Sequence, residues 1–401
     1  MAKRKIQKPT RFERMYKVWD YLRKNTDRRH PTSIAKMRKD KNINTYIGDK
    51  ETINRLLKDM ANIMNLEDGG SDYKPEAEWR LYFDDFKKFY GDKERYERDD
   101  SDEDDSYIAN VMRIKNLYYN RTFSEKEVDS IIEGIMATRT LDSKSAQELV
   151  RKVEDNMTTV FYKRTPRHIC KVQEPELADR ELLKDNLAII QKAIDDNVRI
   201  QFRFNGYSYE KKLEPVREES DELSPYYIVA SGGKYYLLAA KEYEDYKPDM
   251  SIWRIDLMTD IEIPGRNDRL HIKGIPRIPK KNVSNLPEKW SEDFQLKHLN
   301  MSFDKPIPVT LRIKSEKCED NPKKRVRPGY TFLHDWFGDS FTYIRTETNP
   351  PYDDIVRVEC SPYGMAHWAL QYSELVEVLE PESLREDIKS KIKALNEKYS
   401  L

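Results

Sequence analysis

Two stretches of this sequence carry side chains able to act on an anion. In the run Trp253-Arg254-Ile255-Asp256-Leu257, alternation places Trp253, Ile255 and Leu257 on one face of a strand and Arg254 and Asp256 on the other. A guanidinium amid apolar sequence is costly unless something anionic meets it. Either Asp256 or another carboxylate is that partner, which makes the arginine structural, or a bound ligand is, which makes it an anchor. The second stretch is Asp49 to Met64. Ile53, Leu56, Leu57, Met60 and Met64 form an apolar helical stripe, and Lys50, Glu51, Asn54, Arg55 and Lys58 stand on the opposite face. Such a face suits a nucleic-acid groove. Lys50, Thr52, Asn54, Arg55 and Lys58 are its candidate contacts, asparagine suiting adenine and arginine suiting guanine. Nothing comparable supports catalysis. His168, His271, His298, His334 and His367 are scattered, and no phosphate-cradling glycine loop ends in Lys-Ser/Thr. Cys170, Cys318 and Cys360 lie far apart with no Cys-x-x-Cys, which suits a reducing compartment. No enzyme activity, no metal and no cofactor are expected.

The elements that must hold these residues follow from periodicity. Lys234–Ala240 alternates apolar residues on both faces, so it reads as a strand buried on both sides. Ser231-Gly232-Gly233 turns the chain back to the strand of residues 225–230. Upstream, Ile200, Phe202 and Phe204 alternate against Arg203, after an amphipathic helix over 182–197. At the amino end, Phe12, Met15, Tyr16, Trp19 and Leu22 mark a first helix. Pro31-Thr32-Ser33 opens a short second one, with Ile34 and Met37 inward, and Asp49 caps the third. Three helices with a basic third match a helix-turn-helix. His30 reads as a turn or capping residue.

Between about 66 and 112 the pattern is interrupted. Residues 68–72 (DGGSD) suit the turn of a wing. Trp79, Phe83, Phe86 and Tyr90 stand at helix-like spacing. The run Glu94 to Asp105 is too acidic to fold alone. It is a solvated insertion, or a competitor with DNA for the basic face. Beyond it, Ser124 with Glu127 forms a capping box before Val128, Ile131, Ile132 and Ile135. A second helix opens at Ser143. Prolines 264, 276, 279 and 287 argue for a boundary near 270–300. Strands over 309–316, 341–349 and 354–362 alternate with helices over 365–370 and 382–399, a small α+β domain with Trp368 in its core.

Several of these segments also resemble one family. Lys234-Tyr235-Tyr236-Leu237 followed by Trp253-Arg254-Ile255-Asp256 resembles the core of the WYL domain. TDRRHPTS at 26–33, then DKETINRLLKDM at 49–60, is similar to the winged helix that precedes WYL domains in bacterial transcription factors. The ending Val378-Leu379-Glu380-Pro381, then Leu384-Arg385, resembles the WYL C-terminal extension. The resemblance covers about 10–65 and 112–398. It implies a Sm-like β-barrel with a basic pocket for nucleic acid or nucleotide phosphate, with Tyr207, Lys212, Lys234, Lys241 and Arg254 as candidate effector ligands. It also implies that the helices between the DNA-binding and barrel segments bridge and dimerise. The chain departs from the family where a second pocket arginine is Leu257, and where the recognition helix carries Asn54 and Leu56.

Charge agrees with this division. Lys/Arg and Asp/Glu balance at 72 each over 401 residues, so net charge alone is silent on partners. Residues 1–65 hold 18 Lys/Arg against 7 Asp/Glu, and residues 66–106 hold 7 against 16. Lys3, Arg4, Lys5, Lys8 and Arg11 would add salt-sensitive phosphate contacts. No apolar run is long enough to span a bilayer, so a cytoplasmic protein with no membrane partner is expected. The expected architecture is an α+β multidomain chain. It runs from a winged helix-turn-helix with acidic insertion over 1–115, through a helical bridge over 116–180 and a Sm-like barrel over 181–270, to a C-terminal α+β extension over 300–401. The expected function is a transcriptional regulator, acting as a homodimer on a double-stranded DNA operator and sensing a nucleotide or single-stranded nucleic acid. The alternative is a nucleic-acid-binding accessory of a nuclease or phage-defence system.

Overall fold

The computed structural model describes residues 8–67, 73–84, 114–138, 140–164, 180–242, 246–314, 317–318, 321–325 and 329–399. The chain is mixed α+β and divides into two compact units, Met1–Glu176 and Leu177–Leu401.

The first unit opens with α1 (Arg11–Asn25), whose capping box closes when Thr10 and Glu13 exchange hydrogen bonds of 2.7 and 3.2 Å. Ser33 caps α2 (Ile34–Lys39), α3 (Asn44–Ile47) follows, and Asp49 accepts from Thr52 N at 2.7 Å to start α4 (Lys50–Asn65). Val18, Leu22, Met37, Ile47, Ile53, Leu57 and Met60 bury one face of each helix in a common core. Thr32, between α1 and α2, pairs with Leu117, and β1 (Leu81–Tyr82) pairs antiparallel with β2 (Tyr118–Tyr119). Buried Asn65 ties α4 to this ribbon. Its amide donates to Leu81 O at 2.7 Å, and its oxygen accepts from Arg80 N and Leu81 N.

Trp79 and Phe83 do not lie on a helix. A 3-10 turn over Glu76–Glu78 leads directly into β1, and both aromatics are buried in the core. Spacing by four fits the two flanks of a short strand as well as a helix face. Phe86, Tyr90 and the acidic run 94–105 lie outside the described residues, as do residues 68–72. After β2, α5 (Glu125–Ala137, with the Ser124–Glu127 capping box) and α6 (Ser143–Met157) form a helical hairpin on Val128, Ile132, Val150 and Val153.

The second unit begins with α7 (Arg180–Asp196). Six strands follow: β3 (Ile200–Tyr207), β4 (Leu213–Pro215), β5 (Asp221–Ser231), β6 (Lys234–Ala240), β7 (Met250–Arg254) and β8 (Met258–Glu262). Their order is β4-β3-β5-β6-β7, and β8 returns to pair with β3, so the sheet curls on itself as a half-barrel. The β5–β6 turn needs positive φ at both central residues, and Gly232 (55°) and Gly233 (73°) supply it. Leu237, Leu238, Ala239 and Ala240 are all fully buried. Leu237 and Ala239 face a core with Phe202, Trp253, Ile255 and α7, whereas Leu238 faces Met250, Phe294 and Met301. Residues 276–301, including α8 (Phe294–Lys297), supply that outer cover.

The remaining elements are β9 (Ile307–Ile313), β10 (Lys317–Cys318), β11 (Asn321–Arg325), α9 (Thr331–Phe337), β12 (Thr342–Thr346), β13 (Asp354–Cys360), α10 (Pro362–Gln371), β14 (Val376–Glu380) and α11 (Glu382–Tyr399). The antiparallel sheet order β12-β13-β9-β14, with α9 and α10 as crossovers, is the β-α-β-β-α-β arrangement. Trp368 is fully buried between Phe337 and Phe332. Gly364 lets α10 approach the 299–302 turn. A Cβ there would sit 2.7 Å from Leu299 O and from Ser302 Oγ.

Candidate functional site

Helix α4 is buried along a wide arc. Ile53, Asn54, Leu56, Leu57, Met60 and Ala61 all face the core, while Lys50 and Arg55 are exposed and Thr52 and Lys58 half-exposed. Asn54 therefore leaves the set of candidate base contacts. It follows Ile53 by only 100° around the helix, and the core extends far enough to enclose it. Arg55 lies over Glu51 one turn back at 2.7 Å, an exposed pair that is easily exchanged. At the helix's far end Asp59 pairs with Arg11 of α1. Lys8 is exposed, and Lys3, Arg4 and Lys5 lie outside the described residues.

Other exposed cations stand on α2 and in the α2–α3 turn. Lys36, Arg38, Lys39 and Lys41 are exposed there, with Asn44 and Thr45 beside them. Arg38 donates only to Gly48 O, at 3.2 Å, among the hydrogen bonds described for it. The sequence reading passed over these residues because it placed the basic face on the third helix alone. The local density of Lys and Arg over 36–41 was the available signal.

In the barrel, β7 ends at Arg254, and Ile255–Leu257 forms a 3-10 turn into β8. Two buried asparagines fix that turn. Asn186 of α7 donates to Met258 O at 2.8 Å, and Asn205 of β3 donates to Leu257 O and Thr259 Oγ1, each at 3.0 Å. Arg254 and Asp256 then meet in a fork, Nε to Oδ1 at 3.1 Å and Nη2 to Oδ2 at 2.5 Å. The Asp256 side chain is buried and the Arg254 side chain is 29% exposed. Burial opposes its charge, but the hydrogen bond and charge of Asp256 outweigh this and raise the Arg254 pKa. The structural pairing of Arg254 is thus realised, and part of its side chain still reaches solvent. Tyr236 is its register partner on β6, and Tyr207, exposed at the end of β3, contributes to its electrostatic surroundings.

The lysines of the expected pocket do not converge on this corner. Lys234 opens β6 near Tyr236 and is half-buried. Lys212 is exposed in the β3–β4 turn and pairs with Glu210 at 2.8 Å. Lys241 leaves the set. It follows Tyr236 by five residues, roughly 16 Å along a strand, and it binds the fully buried Asp221 at 3.2 Å. Asp221 also holds Arg217. Leu257, the position where the resemblance leads one to expect a second arginine, is buried. Among the described residues no His, Cys, Asp or Glu cluster could hold a metal ion, and no helix is long and apolar enough to cross a membrane.

Comparison with known proteins gives one domain assignment. Residues 305–395 match the WCX domain. Among solved structures, the chain is similar to proteasome accessory factor B/C (PafBC) of Arthrobacter aurescens at 15% identity and a TM-score of 0.22. The match covers 72% of this chain and 40% of that one, so the chain spans well under half the length of that protein. It is also similar to a CRISPR Cas-related protein at 14% identity and a TM-score of 0.31, over 74% of this chain and 78% of that one. No curated protein matches.

Proposed function

We propose that the chain is a DNA-binding transcriptional regulator. Residues 8–119 grip duplex DNA, and the half-barrel responds to a phosphate-bearing effector, a nucleotide or single-stranded nucleic acid. The observation that carries the reading is the open basic surface of α2–α4. It presents Lys36, Arg38, Lys39, Lys41, Lys50 and Arg55 outward on a packed three-helix core. The order of elements supports it further. A helix, the Thr32 bridge, two helices with a short third between them, and the β1–β2 ribbon follow one another as in a winged helix-turn-helix. The WCX match at 305–395 is consistent with a WYL-type regulator.

On this reading α4 enters the major groove. Arg55 exchanges Glu51 for a base edge or phosphate, and the α2 cations contact the backbone. The effector meets the exposed part of Arg254 between Tyr207 and Tyr236. Its differential affinity for two conformations sets DNA affinity. The protein acts as a dimer on two-fold sites and catalyses no reaction.

A gel shift with the DNA upstream of the protein's own gene tests the proposal. Specific retention that weakens steeply with salt is expected. Retention equal to that of random duplex would reduce the chain to a general nucleic-acid binder. For the effector, Arg254→Ala should abolish copurification of bound nucleotide or nucleic acid. An unchanged yield from a folded variant would remove the barrel from the mechanism.

A further inference from the structure

Helix α11 leaves its core partway along. Leu384 is buried and Ile388 half-buried against the C-terminal core, but from Ile392 onward every described side chain is exposed. Ile392 is 51% exposed, Leu395 44% and Tyr399 79%. Ile388, Ile392, Leu395 and Tyr399 stand four, three and four residues apart, the spacing of a coiled-coil seam. They form one apolar stripe along roughly 16 Å of helix. Single exposed apolar residues are ordinary, but a stripe in heptad spacing on a projecting helix marks an interface.

The flanks say what covers it. The positions beside the seam are Lys389, Lys391, Asn396 and Lys398. From 388 to 399 the helix holds four lysines and one glutamate. Lys389 and Lys391 reach back to Glu386 and Asp387 on their own helix, yet remain 53% and 31% exposed. We propose that the second half of α11 docks an acidic amphipathic helix of a partner protein. A second copy of this chain would set lysines on both sides of the seam with no carboxylate facing them. A nucleic acid would satisfy the lysines and leave the stripe in water. The short stripe falls well below the ~1,600 Å² of a standard interface, so binding in the micromolar range is expected.

The test uses the full chain and two labelled synthetic helices. Both carry leucine at the seam, one with glutamate and the other with lysine at the flanking positions, and binding is read by fluorescence anisotropy. The glutamate helix should bind at least tenfold tighter than the lysine helix. Ile392→Asp with Leu395→Asp should abolish that binding without moving the melting temperature, because both side chains are exposed. Lys389→Glu, Lys391→Glu and Lys398→Glu together should invert the preference. The proposal is overturned if the aspartate variant binds the glutamate helix as well as the parent does. It is also overturned if sedimentation shows a parent dimer that the aspartate variant dissolves, which would make the occupant a second copy. Tighter binding of duplex DNA or phosphatidylserine vesicles through the same residues would likewise sink it.

Discussion

The half-barrel and the α2–α4 surface both display cations, and they hold them in opposite ways. In the barrel two of the carboxylates that hold cations are buried. Asp256 forks onto Arg254, and Asp221 gathers Arg217 and Lys241. On α2–α4 the partners are an exposed carboxylate for Arg55 and a backbone carbonyl for Arg38. A buried carboxylate that loses its cation is costly, so the barrel pairs are fixed parts of the fold. Exposed pairs contribute about 0–1 kcal/mol and are readily traded for phosphate oxygens. A positive side chain is thus a better pointer to a polyanion site when its own partner is weak.

The largest effect should come from removing the buried acids. Asp221→Ala removes the shared partner of two cations and Asp256→Ala that of one, and each loss of charge-assisted hydrogen bonds should cost about 2 kcal/mol in urea unfolding. A loss below about 1 kcal/mol would erase the contrast. Next, Lys36→Ala, Lys50→Ala and Arg55→Ala should each change stability by less than about 0.5 kcal/mol. Each should also lower the slope of log affinity for DNA against log salt by about 1. Unaltered slopes would show that the surface does not meet phosphate. For Arg55, discrimination among operator bases should fall by about 1–3 kcal/mol if it reads a base edge rather than the backbone.

The smallest effect asks whether burial, rather than sign of charge, governs the difference. His298 is buried, stacks on Phe294 at 4.1 Å and donates from Nδ1 to Ser302 O at 2.7 Å. Burial lowers its pKa below the usual 6.5, against the opposing pull of Ser302 O and Asp304, while Lys297 adds to the fall. The folded state therefore favours the neutral ring. This contribution is complete above pH 6.5 and is lost as pH falls below it toward the folded value. A shallow drop in melting temperature from pH 7 to 5 should flatten in His298→Gln. An identical profile in the variant would assign the drop to other groups.

Legibility in the sequence followed the same line between burial and exposure. Lys234–Ala240 was readable residue for residue, because a strand apolar on both faces has few alternatives and a glycine pair fixed its start. α11 was readable over Glu382–Tyr399. Asn54 was misplaced because helix periodicity gives a direction and not the width of the buried arc. Arg254 was readable as an arginine in need of an anionic partner, but which partner depends on the 3-10 turn that Asn186 and Asn205 hold from 72 and 52 residues away. No local pattern encodes such distant donors. The separation of Lys241 from Arg254 needed strand register, which a list of lysines does not contain.

The β1–β2 ribbon has an engineering consequence. Tyr82 and Tyr118 stand opposite each other, so the chain departs and returns one rung apart. Asn65 secures α4 to this ribbon, and Leu117 beside it holds the α1–α2 connection through the Thr32 bridge. A short turn joining Asp84 to Ile114, or a foreign domain inserted there, would keep Phe83, Leu117 and the ribbon, with the helices still anchored.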